Sequence, residues 1–120
     1  MTSQTYSNKS DLKNNTKILK DCYNLLNEQK AEDTVCLDIT KYNGYFDYFI
    51  ITTGSSKVHC RSLAKHIREF FAQLGCKEMN KPDLDSSWII LDFDVFVVHI
   101  FTQEVREYYQ LEKLWAVAHP

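Results

Sequence analysis

The sequence predicts an α/β domain in which a mixed β-sheet is packed by helices. Stretches with helical hydrophobic spacing alternate with short runs rich in aromatic and β-branched residues. Their order along the chain is α-β-β-α-β-β-β-α, which suits helices layered on a mixed sheet. Two of the later runs lie so close together that a hairpin must join them. A chain of 120 residues suits one domain and can bury roughly two-thirds of its unfolded surface.

Residues 1–13 read as a disordered tail preceding a domain over 14–116. A first helix is expected from Asn15 to about Lys30, with Ile18, Leu19, Cys22, Leu25 and Leu26 at helical spacing. Thr34 to Ile39 reads as a buried strand with Val35, Leu37 and Ile39 on one face, and Lys41-Tyr-Asn-Gly44 as a turn. Asp47 to Thr53 is the next strand, ended by Gly54, with Ser55 or Ser56 placed to cap the helix that follows. In that helix Cys60, Leu63, Ala64, Ile67, Phe70, Phe71 and Leu74 form one apolar stripe, and Gly75 sits where a terminating glycine belongs. Lys77-Glu-Met79 is expected as a short strand, followed by a loop over 81–86. Thr102 is placed to cap a last helix from Gln103 to about Leu114.

The hairpin is expected to pair Ser87–Asp92 with Val95–Phe101 around a Phe93-Asp94 loop. Side chains alternate between faces along a strand. Ile89, Leu91, Phe96, Val98 and Ile100 then share one uniformly apolar face, which must be core. Trp88, Ile90, Asp92, Val95, Val97, His99 and Phe101 share the other, with Trp88 directly across from His99. That second face is apolar but interrupted by Asp and His, a pattern that fits a surface covered part of the time.

With 44% hydrophobic and 25% charged residues, the composition is that of an ordinary globular protein. No apolar run approaches the ~20 residues of a membrane span. The first fifteen residues have no apolar secretory core, and the first arginine is Arg61, so a cytoplasmic location is expected. The net charge of −2 hides an asymmetry. Between Asp83 and Glu112 seven carboxylates face Arg106 alone, which suits a basic protein partner more than nucleic acid. The cysteines Cys22, Cys36, Cys60 and Cys76 form no C-x-x-C pair, and each lies in or beside an apolar stretch, as small buried hydrophobes do.

One constellation hints at catalysis. Gly54-Ser55 stands at a strand-to-helix junction, and Asp92-Phe-Asp94 is a D-x-D. Nucleotidyltransferases hold phosphate on such a helix start and Mg²⁺ on such a pair, but with the two motifs much closer together. Here Asp92 follows Ser55 by 37 positions, and the D-x-D coincides with the hairpin turn, where Asp is common. His59 and His66 lack neighbours at metal-ligand spacing, and His99, between Val98 and Ile100, reads as a hydrogen-bonded structural residue. Lys57, Arg61, Lys65 and Arg68 read as a solvated helix face. No metal or cofactor is expected, and no catalytic residues.

The run Asp47-Tyr-Phe-Ile-Ile-Thr-Thr-Gly-Ser-Ser56 resembles the D-x-h-h-I-x-T-G-x-S signature of the ribosomal silencing factors, also called the Iojap family. Trp88 through Asp92 to His99, then Arg106, Tyr109, Leu111, Glu112, Lys113, Leu114 and Trp115, resemble the family's second block. The likeness spans about residues 16–115. It departs at the hairpin, where the family turns through Gly-Asp and this chain has Asp94-Val95, and in the loop over 80–87. The resemblance implies a fold like that of nucleotidyltransferases without their active site. It implies a non-catalytic repressor of translation that binds ribosomal protein fourteen of the large ribosomal subunit and blocks subunit joining. By the same resemblance Trp88, Asp92, His99, Tyr109, Leu111 and Glu112 are the partner-binding residues. The apolar face also suits a homodimer when the partner is absent, with little direct contact to nucleic acid.

Overall fold

A computed structural model describes residues 12–39, 48–110 and 113. Of the tail expected over 1–13, residues 1–11 lie outside the described residues, as does the turn at 41–44, whereas Leu12 and Lys13 already belong to the first helix. The elements are α1 (Leu12–Glu28), β1 (Glu32–Asp38), β2 (Tyr48–Gly54), α2 (Lys57–Gln73), β3 (Trp88–Phe93), β4 (Phe96–Thr102) and α3 (Gln103–Tyr109). The sheet order is β1-β2-β4-β3. β2 and β4 run parallel at its centre, and β1 and β3 flank them antiparallel. The expected α/β class with a mixed sheet holds.

The two central strands explain the apolar runs. Every residue of β2 is buried, and β4 is buried from Phe96 to Phe101, as strands covered on both faces require. β1, expected to be buried, is an edge strand with Glu32, Asp33, Cys36 and Asp38 exposed. α1 and α2 cover one face of the sheet. Ile18, Cys22 and Leu26 meet the α2 stripe of Cys60, Leu63, Ala64, Ile67 and Phe71 there, together with Ile89, Leu91, Phe96, Val98 and Ile100 of the hairpin. Phe71 stacks on Phe93 at 4.3 Å, and burying such rings supplies most of the packing energy of a core.

Local chemistry fixes the ends of α2. The Ser56 hydroxyl accepts the His59 amide at 3.0 Å, satisfying one of the orphan donors of a helix start. At the other end Gly75 takes φ 78°, and the Cys76 amide donates back to the Phe71 carbonyl at 3.0 Å in the glycine-ended helix stop. The basic face of α2 is partly engaged. Arg61 pairs with Asp85 at 2.5 Å and Arg68 with Glu78 at 2.9 Å, so both fasten the loop before β3 to the helix.

Three expectations fail for physical reasons. Lys77–Met79 forms no strand. Instead the Met79 amide donates to the Asp92 carbonyl at 2.7 Å, and the Asn80 side chain donates to Ile90 O and accepts from Asp92 N at 2.9 and 3.0 Å. One amide side chain thus occupies the outer edge of β3, where open strand edges invite unwanted pairing. The hairpin turns at Asp94-Val95, two positions of register away from the Phe93-Asp94 loop. Asp94 adopts φ 74°, which Asp tolerates better than Phe, while Val95 turns inward and joins the main core at 2% exposure. The helix α3 stops at Tyr109, short of the expected Leu114, because Gln110 is left-handed, with φ 49°; beyond it only Lys113 is described, and it is helical. Thr102 is the N-cap of α3, though its side chain makes no capping bond.

Candidate functional site

The second face of the sheet is covered differently from the first. Ile39, Phe49, Ile51, Val97 and Phe101 are buried on it, with Leu37, Trp88 and Val105 partly buried against them. Among the described helices only α3, of 7 residues, packs here. Ile90 remains 38% exposed and Tyr109 55%. A largely apolar face under a short helix leaves an aromatic margin open to a partner.

Trp88, His99 and Tyr109 come together at that margin. The hairpin register places Trp88 opposite Phe101 and Ile90 opposite His99, so Trp88 and His99 are diagonal rather than direct neighbours. Because the register differs from expectation by two residues, the strand side chains keep their expected faces, and Val95, now in the turn, does not. The indole Nε1–H of Trp88 donates to His99 Nδ1 at 3.1 Å, and the indole also packs against Phe101 and Tyr109, both at 4.9 Å between ring centres. His99 is 6% exposed, and desolvation pushes its pKa down to about 4. Its ring is neutral near pH 7. With Nδ1 accepting, the proton sits on Nε2, which is buried without a hydrogen-bond partner among the described residues. His99 is therefore too enclosed to serve as a broad contact surface in the free protein.

The other expected partner-binding residues separate from this group. Asp92 lies on the same face at the far end of β3, and its Oδ1 accepts the Asp94 amide at 2.9 Å within the turn. Leu111 and Glu112 lie outside the described residues. Sequence reasoning left Phe49 and Ile51 off this face because they arrive through the β2–β4 pairing, which no local pattern announces. It also left Arg106 off the site. This buried residue of α3 donates to Thr53 Oγ1 at 2.9 Å and to the Asp33 carbonyl, seating the helix on the sheet.

The catalytic constellation does not assemble. Asp92 lies opposite Val97, which pairs with Phe49, whereas Ser55 lies beyond Gly54 at the other end of β2. At ~3.3 Å per residue the two are separated by roughly 20 Å. The start of α2 is also self-satisfied. His59 Nδ1 accepts from the Ser55 amide at 2.9 Å and lies 3.1 Å from its hydroxyl, and Nε2 donates to the Gln29 carbonyl at 2.8 Å. Among the described residues no group of three or more His, Cys, Asp or Glu side chains could hold a metal ion. Burial pushes the Cys22 and Cys60 thiols up and that of Cys76 to about 11, so these are inert packing groups.

Comparison with known proteins agrees with this geometry. The family model described as "Ribosomal silencing factor during starvation" matches residues 12–120. The ribosomal silencing factor RsfS of Bacillus subtilis is 32% identical over 106 residues, covering 88% of this chain and 90% of that protein. The mouse protein named for mitochondrial assembly of the ribosomal large subunit is 31% identical over 98 residues, covering 78% of this chain and 42% of its own length. The crystal structure of a Chromobacterium violaceum protein superposes with a TM-score of 0.77 at 28% identity, covering 84% of this chain and 85% of that one.

Proposed function

This chain belongs to the ribosomal silencing factor family, a family of non-enzymatic factors, and we propose that it represses translation by docking on the large ribosomal subunit and blocking the small one. The observation that carries this reading is the half-covered apolar face whose margin presents Trp88, Ile90 and Tyr109. Aromatic residues at the edge of an apolar patch are the usual anchors of protein interfaces. The contact is ribosomal protein fourteen of the large subunit, whose basic character suits the acidic stretch from Asp83 to Glu112. In this reading Trp88 and Tyr109 are apolar anchors, Asp92 and Glu112 are rim charges, and Leu111 extends the apolar contact. His99 supports the face from beneath. When free, the protein can cover the same face with a second copy of itself.

No helix among the described residues is long and apolar enough to cross a membrane. A cytoplasmic location is part of the proposal, and the mouse relative carries a mitochondrial name. The test is sedimentation with isolated large subunits and with joined ribosomes. Binding to free large subunits alone is expected, and equal binding to both would remove the blocking mechanism. Trp88→Ala should weaken that binding about thirtyfold, the usual consequence of losing a 2 kcal/mol anchor, while the domain still melts cooperatively.

A further inference from the structure

Resting on that docking surface, we infer that His99 is a positioning residue for the Trp88 anchor: its Nδ1 holds the indole N–H, fixing the ring's orientation and satisfying its one polar atom before a partner arrives. Trp88 is half-buried, and three aromatic or imidazole rings surround it. Phe101 and Tyr109 restrict the ring by packing alone. Among the described residues the only directional contact to the indole nitrogen is the 3.1 Å bond to His99.

This bond bears on binding in two ways. An indole N–H covered by a partner without an acceptor would lose its water and gain nothing, a cost that weakens interfaces. His99 removes that cost in advance and also removes the entropy of freezing the indole on docking. His99 is also costly to the fold. Its Nε2–H is buried with no partner among the described residues, and a buried unsatisfied donor destabilises a fold. An apolar residue would pack between Phe49 and Phe101 without that defect, since those rings already flank the imidazole at 4.8 and 6.2 Å. The fold carries a costly side chain whose one side-chain hydrogen bond among the described residues orients the half-buried anchor, and retained local conflicts of this kind mark functional positions.

The experiment compares large-subunit affinity, thermal melting and the indole N–H resonance for the full chain carrying His99→Phe, His99→Gln, Trp88→Phe or Trp88→Ala. His99→Phe should melt no lower than the parent, shift the indole resonance and weaken binding about five- to 150-fold, the range expected for leaving one donor unpaired. His99→Gln, whose amide oxygen can accept the same proton, should recover part of the loss. In a Trp88→Phe background, which has no N–H to hold, His99→Phe should cost nothing further. A loss with Trp88→Ala but none with His99→Phe overturns the positioning role and leaves the docking surface standing. No loss with either overturns both. Should His99→Phe fail to fold, the His99→Gln and Trp88→Phe cycle decides, and additive effects in it count against the inference.

Discussion

The guanidinium of Arg106, in α3, donates to the backbone carbonyl of Asp33, 73 positions earlier at the start of β1. Asp33 is left-handed at φ 51°, and the register of β1 against β2 shifts between Glu32 and Val35. The bulge turns a carbonyl out of the ladder, and Arg106 receives it while also reaching Thr53 Oγ1 at 2.9 Å. One charged side chain thereby seats α3 on the sheet and holds the irregular edge strand. Tyr109 stands three residues further along α3, on a neighbouring position of the same helix, so this clamp also sets the ring that packs on Trp88.

Arg106→Met should therefore destabilise the domain by about 2–3 kcal/mol, because two acceptors lose a charged donor. That corresponds to a fall in Tm of roughly 8–12 °C for a domain of this size. Large-subunit binding should weaken as well, measured well below the new melting point. A variant that melts like the parent would show that solvent replaces the clamp without loss.

The left-handed Asp94 gives an independent check on the hairpin. Asp94→Gly should leave stability unchanged or raise it by up to about 1 kcal/mol, while Asp94→Val should cost about 1–2 kcal/mol, since a β-branched residue resists positive φ. Urea unfolding of the pair reads the difference. Equal stability of the two variants would mean that position 94 does not hold a left-handed backbone in solution.

Gly54 is required for closeness rather than for φ. A Cβ there would lie 2.7 Å from Cys60 Sγ and 3.0 Å from the Cys60 backbone nitrogen. The sulfur can be removed but the backbone cannot yield so easily. Gly54→Ala should cost about 1–3 kcal/mol as overpacking does, and Cys60→Ala in the same chain should return only part of it. Thermal melting of the single and double variants checks this, and complete rescue would assign the whole clash to the sulfur.

These positions show where the sequence is informative. The α2 stripe and Gly75 announce their helix because periodicity and a terminating glycine are local signals. The hairpin faces are equally legible, since alternation depends on parity and survives a two-residue error in register; the partners of Trp88 do not survive it. Val95 breaks the pattern because a turn residue no longer obeys the alternation of the strands. Asn80 as an edge cap, the bulge at Asp33 and the reach of Arg106 leave no trace in hydrophobic pattern. Each is a side-chain-to-backbone bond or a backbone exception that exists only after distant segments meet. Among the site residues, Trp88 and His99 were placed on one face by alternation, whereas the resemblance alone pointed to Tyr109. Neither could reveal that His99 lies beneath the surface.

The burial of His99 carries a pH dependence with a definite sign. Its folded pKa of about 4, depressed by desolvation, lies below the unfolded value near 6.5. Between those limits the unfolded chain binds more protons than the folded one, so stability rises with pH there. The contribution is fully present above about pH 6.5, declines as pH falls toward 4, and totals at most about 3 kcal/mol for a shift of that size. Other groups titrate in the same window, so the informative quantity is the difference in Tm between His99→Phe and the parent at each pH. The Phe variant cannot titrate at this position, and its advantage over the parent should grow steadily from pH 7 to pH 4.5. Protonation would also turn Nδ1 into a donor facing the indole N–H, so the Trp88 resonance of the parent should shift over the lower part of that range. A Tm difference that stays flat with pH would mean that His99 is hydrated in solution, and the bond to Trp88 would then be no stronger than an exposed one.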